Sequence, residues 1–171
     1  MQVGLAGYVH RYDDVMTYRF GQPYTRIDGP VAHNVLPLHL NNAMKGQAMG
    51  AELSLDWQPV NHWRLRGSYS LFDANMDNPN PRLALAAEQG DPRRMATLWS
   101  SLDLPKSVQL DVLGRHVGEM PHHGVGSYTD VDLRLGWRWH HGVSLSAGGR
   151  NILGPAHREH QSGFHNMLPT R

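Results

Sequence analysis

Apolar and polar residues alternate with a period of two along most of this chain, and the alternation falls into seven stretches. The clearest is YTDVDLRLGWRW, where Val131, Leu133, Leu135, Trp137 and Trp139 share one face of an extended strand and Asp132, Arg134, Gly136 and Arg138 share the other. A sheet with one such face in water needs a core to cover it. In a bilayer it needs none, because a closed barrel with lipid outside and water inside demands that dyad period.

Strand and turn signals predict a definite order. A first long strand runs from Gln2 to Arg19, interrupted at Asp13 and Asp14, and a Gly/Pro-containing loop follows from Phe20 to Val35. A second strand returns from Leu36 to Trp57 and turns briefly through QPVNH into a third, WRLRGSYSLF. After a Pro/Asn-rich excursion from Asp77 to Pro92, a fourth strand (93–104) turns at Pro105 and Lys106 into a fifth (107–118). The loop EMPHHGVGS precedes the sixth, Tyr128 to Trp139, and HHG turns into the seventh, GVSLSAGGRN, before a tail from Ile152 to Arg171. The connections thus go long, short, long, short, long, short. Transmembrane barrels have that asymmetry, with short turns at the periplasmic end and long loops outside.

Tryptophan placement agrees. Trp57 and Trp63 flank one short turn and Trp137 and Trp139 precede another, so four of the five tryptophans lie where a headgroup girdle would favour an indole with a buried ring and a wet N–H. Trp99 departs from this, sharing its face with Met95, Thr97, Ser101 and Asp103 while Ala96, Leu98 and Leu102 hold the other.

Composition narrows the solvent and the partners. At 171 residues, with 40% hydrophobic content and no run of about 18 apolar residues, the chain cannot be a helical membrane protein. A formal charge of +1 with scattered Lys and Arg gives no stripe for nucleic acid and no polybasic membrane patch. Cysteine is absent, which suits an oxidising envelope but permits any compartment. The opening MQVGLAGYVHRY lacks the basic head and apolar core of a secretory signal and reads as a strand already under way, so the chain is expected to be an interior part of a longer protein.

The succession GAELSLDWQPVNHWRLRGSYSLF, DPRRMATLWSSLDLP, LDVLGRHVGEMP, YTDVDLRLGWRW, LSAGGRNIL and HREH resembles the C-terminal barrel half of TonB-dependent outer-membrane receptors. That family repeats, in this order, a Gly-x-Glu start, a Trp-x-Pro turn, a Pro-Arg strand start, an Arg-x-x-Gly end, a Trp-Arg ending, and an Asn-Leu segment followed by His-x-Glu-Phe. They match Gly50 to Glu52, Trp57 to Pro59, Pro92 with Arg93, Arg115 to Gly118, Trp137 with Arg138, and Asn151 with Ile152. His157 and Glu159 fit the last motif, and His160 replaces its aromatic. The likeness runs from about Gly46 onward, and specificity lies in the order and spacing of the motifs.

The resemblance implies a fold class: an all-β antiparallel meander of about seven long strands, part of a transmembrane β-barrel, with residues 1–171 as a partial receptor barrel. Family members close about 22 strands around a plug. The resemblance also implies that this sequence carries neither that plug nor its coupling box, nor the aromatic-ended last strand, so the chain alone is expected to be inactive. Its parent would sit in the outer membrane of a Gram-negative bacterium. There it would import a scarce bulky ligand, ferric siderophore-like, cobalamin-like or haem-like, with TonB acting through the plug. Outer-membrane lipid, the TonB system and such an iron chelate are the implied partners, and nucleic acid is not.

For the water-filled side, Arg64, Arg66, Asp132, Arg134, Arg138 and Arg150 are the candidate charged wall, with ordinary ion pairing as the plainer role for each. Histidine is the one compositional excess, at 12 residues. His122 and His123 in one outer loop and His157, His160 and His165 in the tail could meet a metal or haem, but HREH is neither HExxH nor a helical pair, and His140 with His141 lie in the opposite turn. Solvated loop histidine is the better reading. No nucleophile elbow, phosphate loop or carboxylate pair suggests an enzyme, and no catalytic, cofactor or metal residue is assigned. The rival architecture is a soluble antiparallel β-sandwich binding module, whose two sheets would bury Leu53, Leu55, Leu133 and Leu135, whereas a barrel wall leaves them exposed on a single convex sheet.

Overall fold

In the computed structural model, residues 1–139, 142–154 and 159 are described. Seven strands form one antiparallel sheet in meander order: β1 (Gln2–Phe20), β4 (Leu38–Val60), β5 (Trp63–Asp77), β6 (Arg94–Leu104), β7 (Val108–Val117), β8 (Tyr128–Arg138) and β9 (Ser144–Gly149). The fold class read from the alternation is therefore the one observed.

Two segments differ from the sequence reading. The expected loop from Phe20 to Val35 holds a separate hairpin, β2 (Tyr24–Asp28) and β3 (Val31–Val35), turned at Gly29 and Pro30. Gly29 sits at φ 63°, a conformation glycine takes without steric cost, beside a proline whose φ is fixed negative. The Pro/Asn-rich excursion contains a helix, α1 (Pro81–Gln89). Its first turn has the usual chemistry: the Asn80 side chain accepts from the Arg82 backbone N–H at 3.2 Å, and Pro81 occupies the first turn, where its missing N–H costs nothing.

The helix also has a reason to be there. Strand β5 outruns β6, leaving its upper backbone unpaired on that side, and the Glu88 carboxylate accepts from the Met76 N–H at 2.7 Å. A sheet edge is thereby covered. Asn78 ties the same excursion back to β1 by donating to the Thr17 hydroxyl at 2.9 Å, with both residues buried.

Pairing parity assigns every strand residue to a face. One row runs Leu5–Leu53–Tyr69–Ala96–His116–Thr129 across six strands, and the row two residues lower runs Val3–Leu55–Gly67–Leu98–Gly114–Val131. Below these lie Leu65, Leu102, Leu110, Leu133, Leu135 and Leu145, so the face is continuously apolar. None of this surface is covered: Leu53 is 46% exposed, Leu133 38% and Leu135 48%, and Leu55 is half-buried among its neighbours. A sandwich would have buried them against a second sheet. Among the described residues, the only fully apolar buried cluster is Val117, Met120 and Val125 under the β7–β8 loop, with Tyr128 against it.

The apolar band has a membrane's height. On β5 it extends from Trp63 to Leu71, roughly 27 Å along a strand at about 3.4 Å per residue, or near 20 Å vertically at the tilt of about 40° usual in barrels. Trp57, Trp63 and Trp137 close its lower margin, and the Trp137 and Trp139 rings stack at 4.8 Å. Trp63 donates its indole N–H to the Ser100 hydroxyl at 3.0 Å, which satisfies the one hydroxyl the band carries on β6. At the upper margin the same face turns polar with Arg11, Gln47, Asp73, Arg94, His116 and Thr129.

The strand connections divide by end as the sequence predicts. At the lower end β4–β5 and β6–β7 are joined by Asn61–His62 and by Pro105–Ser107, and adjacent turns are laced by Asp103 N–H to His62 O at 2.8 Å and Arg138 N–H to Ser107 O at 3.0 Å. At the upper end lie the β2–β3 hairpin, α1 and the short 3-10 turn Pro121–His123.

Candidate functional site

The face opposite the apolar band carries the charges, and strand register decides which of them meet. Asp56 on β4 lies opposite Arg66 on β5, and Arg64 is its diagonal neighbour. The carboxylate accepts from Arg64 Nε at 2.9 Å and Nη2 at 2.6 Å, a bidentate pair, and from Arg66 Nε at 3.1 Å. The Arg66 guanidinium also lies 5.0 Å over the Trp99 ring. Trp99 is therefore a residue of the polar face, stacked beneath a cation, and its departure from the girdle is explained.

Farther along the wall, Arg134 donates to Asp111 at 2.8 Å and to Gln109 at 3.3 Å, and Gln109 donates to Asp103 at 3.2 Å. Arg115 pairs with Asp130 at 2.7 Å, and Ser68 and Thr97 share a hydrogen bond of 2.6 Å between neighbouring strands. Asp132 accepts from the Asn151 backbone N–H at 2.9 Å, fixing the chain where it leaves β9. Arg150 and Asp132 line one cleft of about 340 Å³ with Arg115, Asp130 and Asn151. Arg138 lies at the lower end, opposite Ser144.

All six charged residues singled out from sequence thus belong to the polar side, but they do not converge on one site. Arg64, Arg66 and Arg134 join short-range ion pairs along the wall, while Asp132 holds a backbone N–H instead. What the sequence reading missed were the carboxylate partners Asp56, Asp111 and Asp130. Parity alone places each on the polar face; which arginine each meets depends on register, which bulges shift.

A second feature of this face was also missed. Tyr8, His10 and Tyr12 point to it from β1, with ring centroids 5.3 and 6.4 Å apart, opposite Gly50, Ala48 and Gly46 of β4. The small residues make room for the rings: a Cβ built on Gly50 would meet the Tyr8 ring and lie 2.6 Å from the Leu71 carbonyl oxygen. Ala48 and Ala74 are buried beneath. The result is an aromatic shelf toward the upper end of the wall.

The histidine proposal finds partial geometry only. His122 and His123 lie in the outer 3-10 turn with ring centroids 5.2 Å apart, but no group of three His, Cys, Asp or Glu that could hold a metal occurs among the described residues. His140, His141, His157, His160 and His165 lie outside the described residues.

The comparisons with known proteins join this geometry. Residues 1–152 match the family described as TonB dependent receptor-like, beta-barrel. The chain belongs to that family. Its members are transporters of the Gram-negative outer membrane rather than enzymes, and membership carries TonB-dependent transport in general. Neither a curated protein nor a solved structure matches the chain.

Proposed function

We propose that the chain supplies barrel wall and outer loops to a receptor that brings a scarce, bulky ligand across the outer membrane. The ligand class is a ferric siderophore-like, cobalamin-like or haem-like molecule, and import is driven by TonB through a plug elsewhere in the parent protein. The observation that carries this reading is the two-faced single sheet. Its apolar face is continuous and uncovered, while its polar face is charged and paired within itself, a division that makes sense only with lipid on one side and water on the other.

The raw edges support the parent rather than the isolated chain as the active species. Strands β1 and β9 are the outermost of the sheet, and each backbone N–H or C=O left unpaired in hydrocarbon costs several kcal/mol. Strands outside the described residues would have to complete the wall. The 171-residue chain alone is therefore inactive in transport.

Uptake assays test the reading. Deleting the gene that carries this chain is expected to abolish uptake of one among radiolabelled ferric siderophores, cobalamin and hemin, and a proton uncoupler is expected to abolish the same uptake in the unaltered cell. Unchanged uptake of all three, with the protein verified in the outer-membrane fraction, would refute it.

A further inference from the structure

We infer that the water-facing side of β1, β4 and β5 selects an electrically neutral ligand, with Tyr8, His10 and Tyr12 as the surface that takes its apolar face and Glu52 as the residue that turns anionic chelates away. The inference rests on the receptor reading above and narrows its ligand class by charge.

Rows across the three strands stack into tiers. At the bottom Asp56 faces Arg66, whose guanidinium is held by that carboxylate and by the Trp99 ring. The next two rows are Gly4–Ser54–Ser68 and Ala6–Glu52–Ser70, and above them come Tyr8–Gly50–Phe72, His10–Ala48–Ala74 and Tyr12–Gly46–Met76. Small residues in β4 therefore leave the rings of β1 standing clear of the wall. Tyr12 is 39% exposed and His10 is exposed with it, so both present ring surface to water.

The middle tier is a hollow of about 380 Å³, lined on this face by Gly4, Ala6, Glu52, Ser54, Ser68 and Ser70. A Cβ added at Gly4 would come within 2.6 Å of the Ser54 hydroxyl, so that hydroxyl reaches across the β1 backbone. Glu52 is exposed in the hollow, and among the described residues no ion pair or side-chain hydrogen bond engages it.

Charge selects the occupant. Between the Arg66 row and the Tyr12 row no Lys or Arg faces this side, because parity sends Arg11 and Lys45 to the opposite face. Arg115 on β7 and Arg150 past the end of β9 stand three and five strands from β4, and Arg115 is held by Asp130 and Glu159. The surplus positive charge of Arg64 and Arg66 over Asp56 lies four residues below Glu52, roughly 14 Å down the strand and past a Debye length of about 8 Å. Glu52 is thus the charge that a ligand on the rings meets. A carboxylate against a wall of low dielectric repels an anion more strongly than it would in bulk water, and the negative faces of the rings act in the same sense. The hydroxyls and the carboxylate accept N–H and O–H donors, while the rings take C–H surface. Ferric iron held by three hydroxamates meets these conditions, because each hydroxamate cancels one of its charges and its peptide-like backbone supplies the donors. Catecholates overshoot and leave the chelate anionic.

Equilibrium binding to the full-length receptor, purified in detergent, tests the selection with a neutral ferric tris-hydroxamate, cyanocobalamin, an anionic ferric tris-catecholate and hemin. One neutral probe is expected to bind about tenfold tighter than either anionic one, with little change on adding salt. Tyr8→Ala/Tyr12→Ala should weaken that binding about tenfold, whereas Tyr8→Phe/Tyr12→Phe, which keeps the rings, should weaken it less than about threefold. Glu52→Lys, a change at an exposed position, should cut the preference for the neutral probe about tenfold. Heat-modifiable migration reports a folded barrel for each variant, and if the double-alanine barrel does not fold, Glu52→Lys decides alone. Tighter binding of an anionic probe by the unaltered receptor, an unmoved preference in Glu52→Lys, or undiminished binding by a folded double-alanine variant overturns the selection and leaves the transport reading standing. A folded receptor that binds none of the four probes overturns the transport reading, and the selection with it.

Discussion

The lower two-thirds of the sheet and its outer extension obey different rules. Between the tryptophan margin and the Arg94 row, strands β4 to β8 keep the period of two, and their cross-strand pairs run without a shift until the turns. Above that row β1, β4 and β5 continue without β6. There β1 is bulged between Tyr12 and Val15, with Asp14 at φ 55°, and the register slips again before Thr17. A one-residue slip in the bilayer would turn the charged ladder into the acyl chains, so lipid enforces the period. Outside it, nothing penalises a bulge.

A charge placed on the apolar face separates the two regions most sharply. Leu53→Arg, midway between Met49 and Trp57, should destabilise the assembled barrel by about 2–4 kcal/mol in urea-titrated refolding into vesicles, the cost of a cation near the bilayer midplane. Leu40→Arg, on β4 above the band and already 68% exposed, should change it by less than about 0.5 kcal/mol. Equal effects would abolish the distinction. Next in size is Gly50→Val at the boundary itself. A branched side chain there collides with Tyr8 and the Leu71 carbonyl, and overpacking of about 1–3 kcal/mol is expected in the same titration.

Smaller changes sharpen the comparison within each region. In the extension, Glu88→Ala removes the cap on the Met76 N–H; a loss of about 1 kcal/mol is expected, read as faster hydrogen exchange at that amide with unchanged exchange at Leu65. In the wall, a double-mutant cycle on Asp111 and Arg134 should give a coupling of about 0.5–1 kcal/mol that shrinks with added salt, since Arg134 remains half-exposed to the aqueous side. A coupling insensitive to salt would place that pair away from water.

The same division explains what could be read from the sequence. Strands in the bilayer were legible almost to the residue: the fourth was expected over 93–104 and is Arg94–Leu104, and the sixth over 128–139 and is Tyr128–Arg138. The interruption at Asp13 and Asp14 was legible too, as a bulge that the strand survives. The outer region was not. Leu83, Ala84, Ala86 and Ala87 are good helix formers behind an Asn-Pro cap, yet the prolines and asparagines at 78–81 and the Asp91–Pro92 pair spell a loop at a glance. Likewise Asp28–Gly29 between Tyr24–Ile27 and Val31–Val35 is a hairpin signal that the neighbouring Gly21, Pro23 and Pro30 obscured. Ion-pair partners stayed hidden because two strands must be aligned before either end of a pair is known.

Strand length falls across the sheet from β4, with 23 residues in β4 and 15 in β5 against 11, 10, 11 and 6 in β6 to β9. With the lower ends level at the turns, the outer rim must slope, standing tallest at β1 and β4 and carrying the β2–β3 hairpin like a mast on its high side. From outside the cell that mast is what an antibody, a bacteriophage or an added protease would touch first, well before reaching anything in the mouth.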